Sequence, residues 1–160
     1  MIQQAVREKH DGRLGGSHSI GLWLRLLTCS TIIEKRIRRR FAAQFDTTLP
    51  RFDVLAALER QDGGLTMGEL SRRLLVSNGN VTALVRQLES SGLVTCSPAE
   101  DDRRSMVVEL TAVGRAHFGE LAVAHHRWVE AMLAGLPPER QDLLFELLAE
   151  LKASIAAEPA

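Results

Sequence analysis

The chain has 160 residues, 45% hydrophobic and 25% charged, which fits one globular domain, or one domain with an attached dimerisation module. It has no unbroken apolar run of about 18 residues and no signal-peptide core, and its only cysteines are Cys29 and Cys96, so a cytoplasmic protein without a membrane span is expected. The formal net charge is +0, yet residues 1–45 hold nine Lys/Arg against three Asp/Glu, so any contact with a polyanion must rest on local patches.

Residues 1–17 have glycines and no apolar period, and read as a flexible arm. A long helix is expected from about His18 to about Phe45, within a dimerisation segment over 18–48. Leu22, Leu26, Ile33, Ile37, Phe41 and Phe45 mark its apolar side. At about 40 Å it exceeds what so small a domain needs for cover, as half of a dimer interface would. Pro50 opens a second helix with Phe52, Val54, Leu55 and Leu58 apolar, closed by Gly63-Gly64.

Segment 49–114 has the pattern of a winged helix-turn-helix. Thr66 with Glu69 three residues on has capping-box spacing, and Leu70 and Leu74 give that helix an apolar stripe. Ser77 is placed to cap the next helix, in which Val81, Leu84, Val85 and Leu88 form one buried face and Gly92 the stop. The opposite face carries Asn78, Asn80, Thr82, Arg86 and Gln87, with small Gly79 and Ala83 among them. Asn and Gln can pair with adenine, Arg with guanine, and a Thr methyl can pack on thymine. Two β-prone segments, Leu93–Ser97 and Ser105–Leu110, follow as a hairpin with Arg103 and Arg104 just past its tip. Ser77, Asn78, Asn80, Thr82 and Arg86 are the expected DNA-reading residues, with Arg72, Arg73, Arg103 and Arg104 as basic support.

After Thr111, a possible cap, the helical pattern runs through Phe118, Leu121, Ala122, His125, Val129, Met132 and Leu133. Gly135 and Pro137-Pro138 break it, and a last helix carries Leu143, Leu144, Leu147, Leu148, Leu151 and Ile155. Together, 115–157 would form the C-terminal dimerisation helices. The fold expected is mainly α with a small β-hairpin wing.

Asp102-Arg103-Arg104, then Met106, Val107, Val108, Glu109, Leu110, Thr111 and Gly114, resemble the wing and exit motif of the MarR (multiple antibiotic resistance regulator) family. Residues 88–94, LESSGLV, are similar to the end of that family's recognition helix. The resemblance implies a homodimeric regulator of double-stranded DNA, an Asp102–Arg104 ion pair within the wing and an arginine at its tip reaching the minor groove. Thr95, Cys96 and Ser97 depart from the basic residues many relatives carry before the tip, which implies a weaker grip by the wing.

Catalysis has no foothold. GxSxG, P-loop, GxGxxG and HExxH patterns are absent, and the carboxylates do not converge at a recognisable spacing. His117 and His125 are about 12 Å apart along a helix, too far to share a metal, and His126 points elsewhere; surface or interface histidines account for all three. No enzyme, required cofactor or metal is expected. A cysteine-based redox switch is the alternative, since some members of the family sense oxidants. The chain has no Tyr of the kind that helps hold an oxidised cysteine in peroxide-sensing relatives, and Cys29 among leucines also reads as inert packing.

The run EKRIRRR at 34–40 is the other distinctive group. Arg36 and Arg40 stack one turn apart beside the apolar stripe, and Arg25, Cys29 and His18 continue that flank. Such a column suits an amphipathic anion, although a solvated face or a cover for the dimer seam would look the same. The long helix and the helix-turn-helix most resemble the branch of the family that governs aromatic-acid catabolism. That implies an effector that is an aromatic acid or its coenzyme A thioester.

Overall fold

The computed structural model describes residues 17–99 and 105–158. Its elements are α1 (His18–Phe45), α2 (Leu49–Glu59), β1 (Leu65–Thr66), α3 (Met67–Leu74), α4 (Asn78–Ser90), β2 (Val94–Pro98), β3 (Met106–Leu110), α5 (Ala112–Leu133) and α6 (Pro138–Ala157). The fold is mainly α with a small antiparallel sheet. The chain divides into two compact units between Ala124 and His125, inside α5. Among the described residues no helix is long and apolar enough to cross a membrane.

In the first unit α2 is the central support. Thr48 is extended and accepts the Arg51 amide on its hydroxyl, while the proline near the start needs no amide partner. Phe52, Val54, Leu55 and Leu58 are buried as their spacing predicts. The ring of Phe52 lies 5.0 Å from Phe41 of α1 and 5.6 Å from Phe118 of α5, joining three helices. The helix stops at Glu59, before the glycine pair. Gly63 and Gly64 instead form the turn into β1, both with positive φ.

One continuous stripe does not describe α1. Its buried residues are Leu24, Thr28, Ile37 and Phe41, while Leu22 is 55% exposed. At 100° per residue Leu24 and Thr28 face away from Ile37 and Phe41, so the two halves of the helix bury different sides. In α5 the buried positions are Gly114, Leu121, Ala124 and Trp128, whereas Ala122 and His125 are only half-buried. The inward face is therefore rotated from the expected one.

The sheet has the order β1-β3-β2. Val94 pairs with Leu110 and Pro98 with Met106, giving the expected hairpin. On its other side β3 pairs with β1, Leu65 opposite Val108 and Thr66 opposite Val107. This third strand lies outside the hairpin expectation. In the second unit α6 has no buried residue, and Gln141 donates to the Leu133 and Leu136 carbonyls at the turn from α5.

Candidate nucleic-acid interface

Helices α3 and α4 are fixed from below by apolar contacts and at their ends by polar ones. Thr66 and Glu69 form a full capping box on α3: the Thr66 amide donates to the Glu69 carboxylate at 2.8 Å, and the Glu69 amide donates to Thr66 Oγ1 at 3.3 Å. The Thr66 amide, aided by the Thr66 hydroxyl, holds the Glu69 pKa below its ordinary value. Leu70 is fully buried and Leu74 half-buried. On α4, Val81, Val85 and Leu88 have no exposed surface and Leu84 is half-buried. The helix ends as expected, with Gly92 at φ +70° and its amide donating to Glu89.

This packing turns the other side of α4 to solvent. Asn78, Gly79, Asn80, Ala83, Arg86 and Gln87 are exposed. Thr82 donates its hydroxyl hydrogen to the Asn78 carbonyl at 2.9 Å, which uses up the donor and leaves the methyl for contact. Ser77 occupies the N-cap position with extended backbone, but its side chain makes no capping hydrogen bond. Its hydroxyl suits an acceptor such as a phosphate oxygen.

Arg72 and Arg73 are exposed in the last turn of α3, where their charge suits the helix dipole. Arg72 donates back to the Gly68 carbonyl at 3.4 Å. Arg73 donates to Gln61 Oε1 at 2.8 Å, which orients its guanidinium. Gln61 is a positioning residue that sequence reasoning misses, because the contact spans twelve residues across β1. Asp102, Arg103 and Arg104, with the expected wing ion pair, lie outside the described residues, as does most of the N-terminal arm.

The expected effector residues all lie on α1. His18, Arg25, Cys29 and Arg36 are exposed and Arg40 is half-buried. Across the helix from Arg36, Glu34 pairs with Arg38 one turn on. Asp53 of α2 senses both charges: burial, then the Glu34 carboxylate, push its pKa up to about 6 against the pull of Arg38.

Cys29 is exposed, not packed among leucines. Cys96, half-buried in β2, has its thiol pushed up to about 11 by burial and then by the Glu89 carboxylate, so it is protonated at neutral pH and a poor nucleophile. His126 faces Glu130 at 3.1 Å, and the pKa of His125 is lowered by burial and then by His126. Among the described residues no three His, Cys, Asp or Glu side chains gather where a metal could bind.

A family model described as the MarR family matches residues 45–105, the span from the end of α1 to the hairpin tip. The transcriptional activatory protein BadR of Rhodopseudomonas palustris is 38% identical over 103 residues, 63% of this chain and 58% of BadR, so the chain spans less than two thirds of that relative. The HTH-type transcriptional regulator YfiV of Bacillus subtilis is 32% identical over 112 residues, 70% of this chain and 69% of YfiV. Among solved structures, Sco3205, a MarR family transcriptional regulator from Streptomyces coelicolor in complex with DNA, superposes with a TM-score of 0.79. It is 21% identical and covers 92% of each chain, a likeness of fold. The relatives and fold neighbours are transcriptional regulators and not enzymes. The capped helix-turn-helix, its polar outer face and these similarities place the chain in the MarR family of DNA-binding winged-helix transcriptional regulators.

Proposed function

We propose that two copies of this chain form a repressor of a pseudo-palindromic operator, and that an aromatic acid or its coenzyme A thioester loosens its hold. One observation carries the reading role. Helix α4 buries Val81, Val85 and Leu88 completely while Asn78, Asn80, Arg86 and Gln87 stand exposed with base-pairing chemistry. Arg86 and the Asn78/Asn80/Thr82 face would enter the major groove, and the arginines of α3 and of the hairpin would meet phosphates or the minor groove.

Support for two copies comes from α6. Leu143, Leu144, Phe145, Leu147, Leu148 and Ile155 are each at least 40% exposed, more apolar surface than a helix keeps in water without a partner. Two-fold pairing removes that surface and supplies two recognition helices for half-sites about one helical turn apart. The effector reading rests on the arginine flank of α1 and on the resemblance to the aromatic-acid branch. A ligand that favours a dimer with wrongly spaced recognition helices shifts the population off DNA. Lowering occupancy a hundredfold takes a differential of about 2.7 kcal/mol.

Selection of duplexes from a randomised pool tests the reading. An inverted repeat bound with affinity that falls steeply with salt is expected. Selected sequences without two-fold symmetry would refute it. For the effector, a stabilising ligand at about 100 times its dissociation constant adds about 2.7 kcal/mol of stability. Stabilisation by a thioester and not by the free acid assigns the arginines to phosphates, and no stabilisation by either returns attention to Cys29.

A further inference from the structure

The turn between α3 and α4 opens on the left-handed C-cap of α3, a position that glycine or asparagine usually fills and leucine fills here. Leu75 adopts φ +55° and ψ +38°, the left-handed region, and its side chain is 91% exposed. The other described non-glycine residue with positive φ is Asp46, whose short polar side chain tolerates that conformation better than leucine does. At Leu75 the strain is imposed from both sides. The Leu75 and Val76 amides both donate to the Ser71 carbonyl, and the Ser71 hydroxyl donates to the Val76 carbonyl. The turn is thus pinned so that a large apolar side chain projects into water, where it contributes nothing to the core.

Strain of this kind persists where surrounding structure enforces it, and it collects at binding sites. The neighbours of Leu75 identify the partner. Exposed Arg72, Arg73 and Arg86 stand on the two helices that meet at this turn, with the Glu69 carboxylate beside the first two, and a polyanion suits the three cations. Ser77, Asn78 and Asn80, all exposed, follow directly and offer hydrogen bonds to phosphates and base edges. In a duplex groove the apolar feature among such acceptors is the C5-methyl of thymine.

We infer that Leu75 is a specificity-determining contact, packing on a thymine methyl at the edge of the groove that α4 enters. The inference rests on α4 being the reading helix. It differs from the role of Thr82 in that Leu75 lies outside the helix and reads a flanking base.

The experiment uses the full-length chain and the tightest duplex it selects from a randomised pool. Leu75→Gly frees the backbone from strain, so its thermal midpoint should equal or exceed the parent's. Its affinity for that duplex should fall about 5- to 10-fold. Replacing thymines one at a time by deoxyuridine should cost the parent affinity at a symmetric flanking position, and cost Leu75→Gly nothing there. Leu75→Asn, which also tolerates this φ, should behave as the glycine variant does. Parent-like affinity of Leu75→Gly, or a deoxyuridine penalty unchanged in it, overturns the inference. Arg86→Ala separates the two readings. If it loses base preference while Leu75→Gly binds normally, α4 reads DNA and Leu75 does not; if neither variant affects binding, α4 is not the reading helix and both readings fall.

Discussion

The Thr111 hydroxyl donates to the Gly92 carbonyl at 2.8 Å, joining the exit of α4 to the entry of α5 across nineteen residues. The same oxygen accepts the Gly114 amide at 2.9 Å, so one side chain caps α5 and holds the end of α4. A Cβ at Gly114 would overlap the Leu93 carbonyl, because α5 crosses the chain there at backbone contact. Gly114→Ala should therefore destabilise the protein by about 3 kcal/mol or more, and Thr111→Val by about 1–2 kcal/mol. Urea unfolding checks both, and a neutral Gly114→Ala would contradict the close approach.

Arg86→Ala should leave thermal stability unchanged, since the side chain is exposed. It should weaken operator binding by about 1–3 kcal/mol and relax preference at one base position. Binding to a panel of single-position operator variants measures this. A uniform loss on every sequence would make Arg86 a phosphate contact.

Asp53 predicts a pH dependence of stability. Its folded pKa of about 6 lies above the ordinary 3.8, so folding favours the neutral acid. That stabilising contribution is complete below the lower value and disappears as pH rises through the higher one. Asp53→Asn should then stabilise the protein above pH 6 and bring little gain near pH 4. After allowance for solvent around a partly exposed carboxyl, the gain should be about 1 kcal/mol. Thermal midpoints of parent and variant across pH 4–8 decide it, and a gain independent of pH would assign the effect to something other than ionisation.

On α6, Leu144→Glu with Leu148→Glu should convert a dimer to monomers at micromolar concentration while far-ultraviolet circular dichroism stays helical. Both leucines are exposed, so the charges meet water in the single chain and meet each other only on pairing. Sedimentation checks the mass. An unchanged dimer would move the interface elsewhere.

Arg36→Ala with Arg40→Ala should reduce thermal stabilisation by the effector and leave operator affinity within about twofold, an effect under 0.5 kcal/mol. Equal loss of both properties would make these arginines structural or DNA-facing.

Where a helix had one neighbour side to satisfy, the sequence was enough. The stripe of α2, the capping box on Thr66 and Glu69, and the inward valines of α4 all follow from local spacing. Where burial depends on several neighbours, spacing misleads: α1 buries Leu24 and Ile37 on different sides, and α5 turns Trp128 inward in place of His125. The strand β1 has two residues, too few to show alternation, and exists because β3 offers an unpaired edge. At the candidate site, the outward face of α4 was legible from the spacing of its buried side. The idle hydroxyl of Ser77, the Gln61 prop under Arg73 and the strained Leu75 were not, since each depends on backbone placement.

Thr66 is at once the partner of Val107 in the sheet and the cap of α3. No spacer separates the hairpin from the helix-turn-helix at that point, so a pull on the hairpin reaches α3 through a single peptide unit. Thr66 is thus a single joint on which both elements are mounted. Under the proposed effector control, a ligand that tipped this part by a few degrees would misalign the contacts of both elements at once, and would need to reshape none of them.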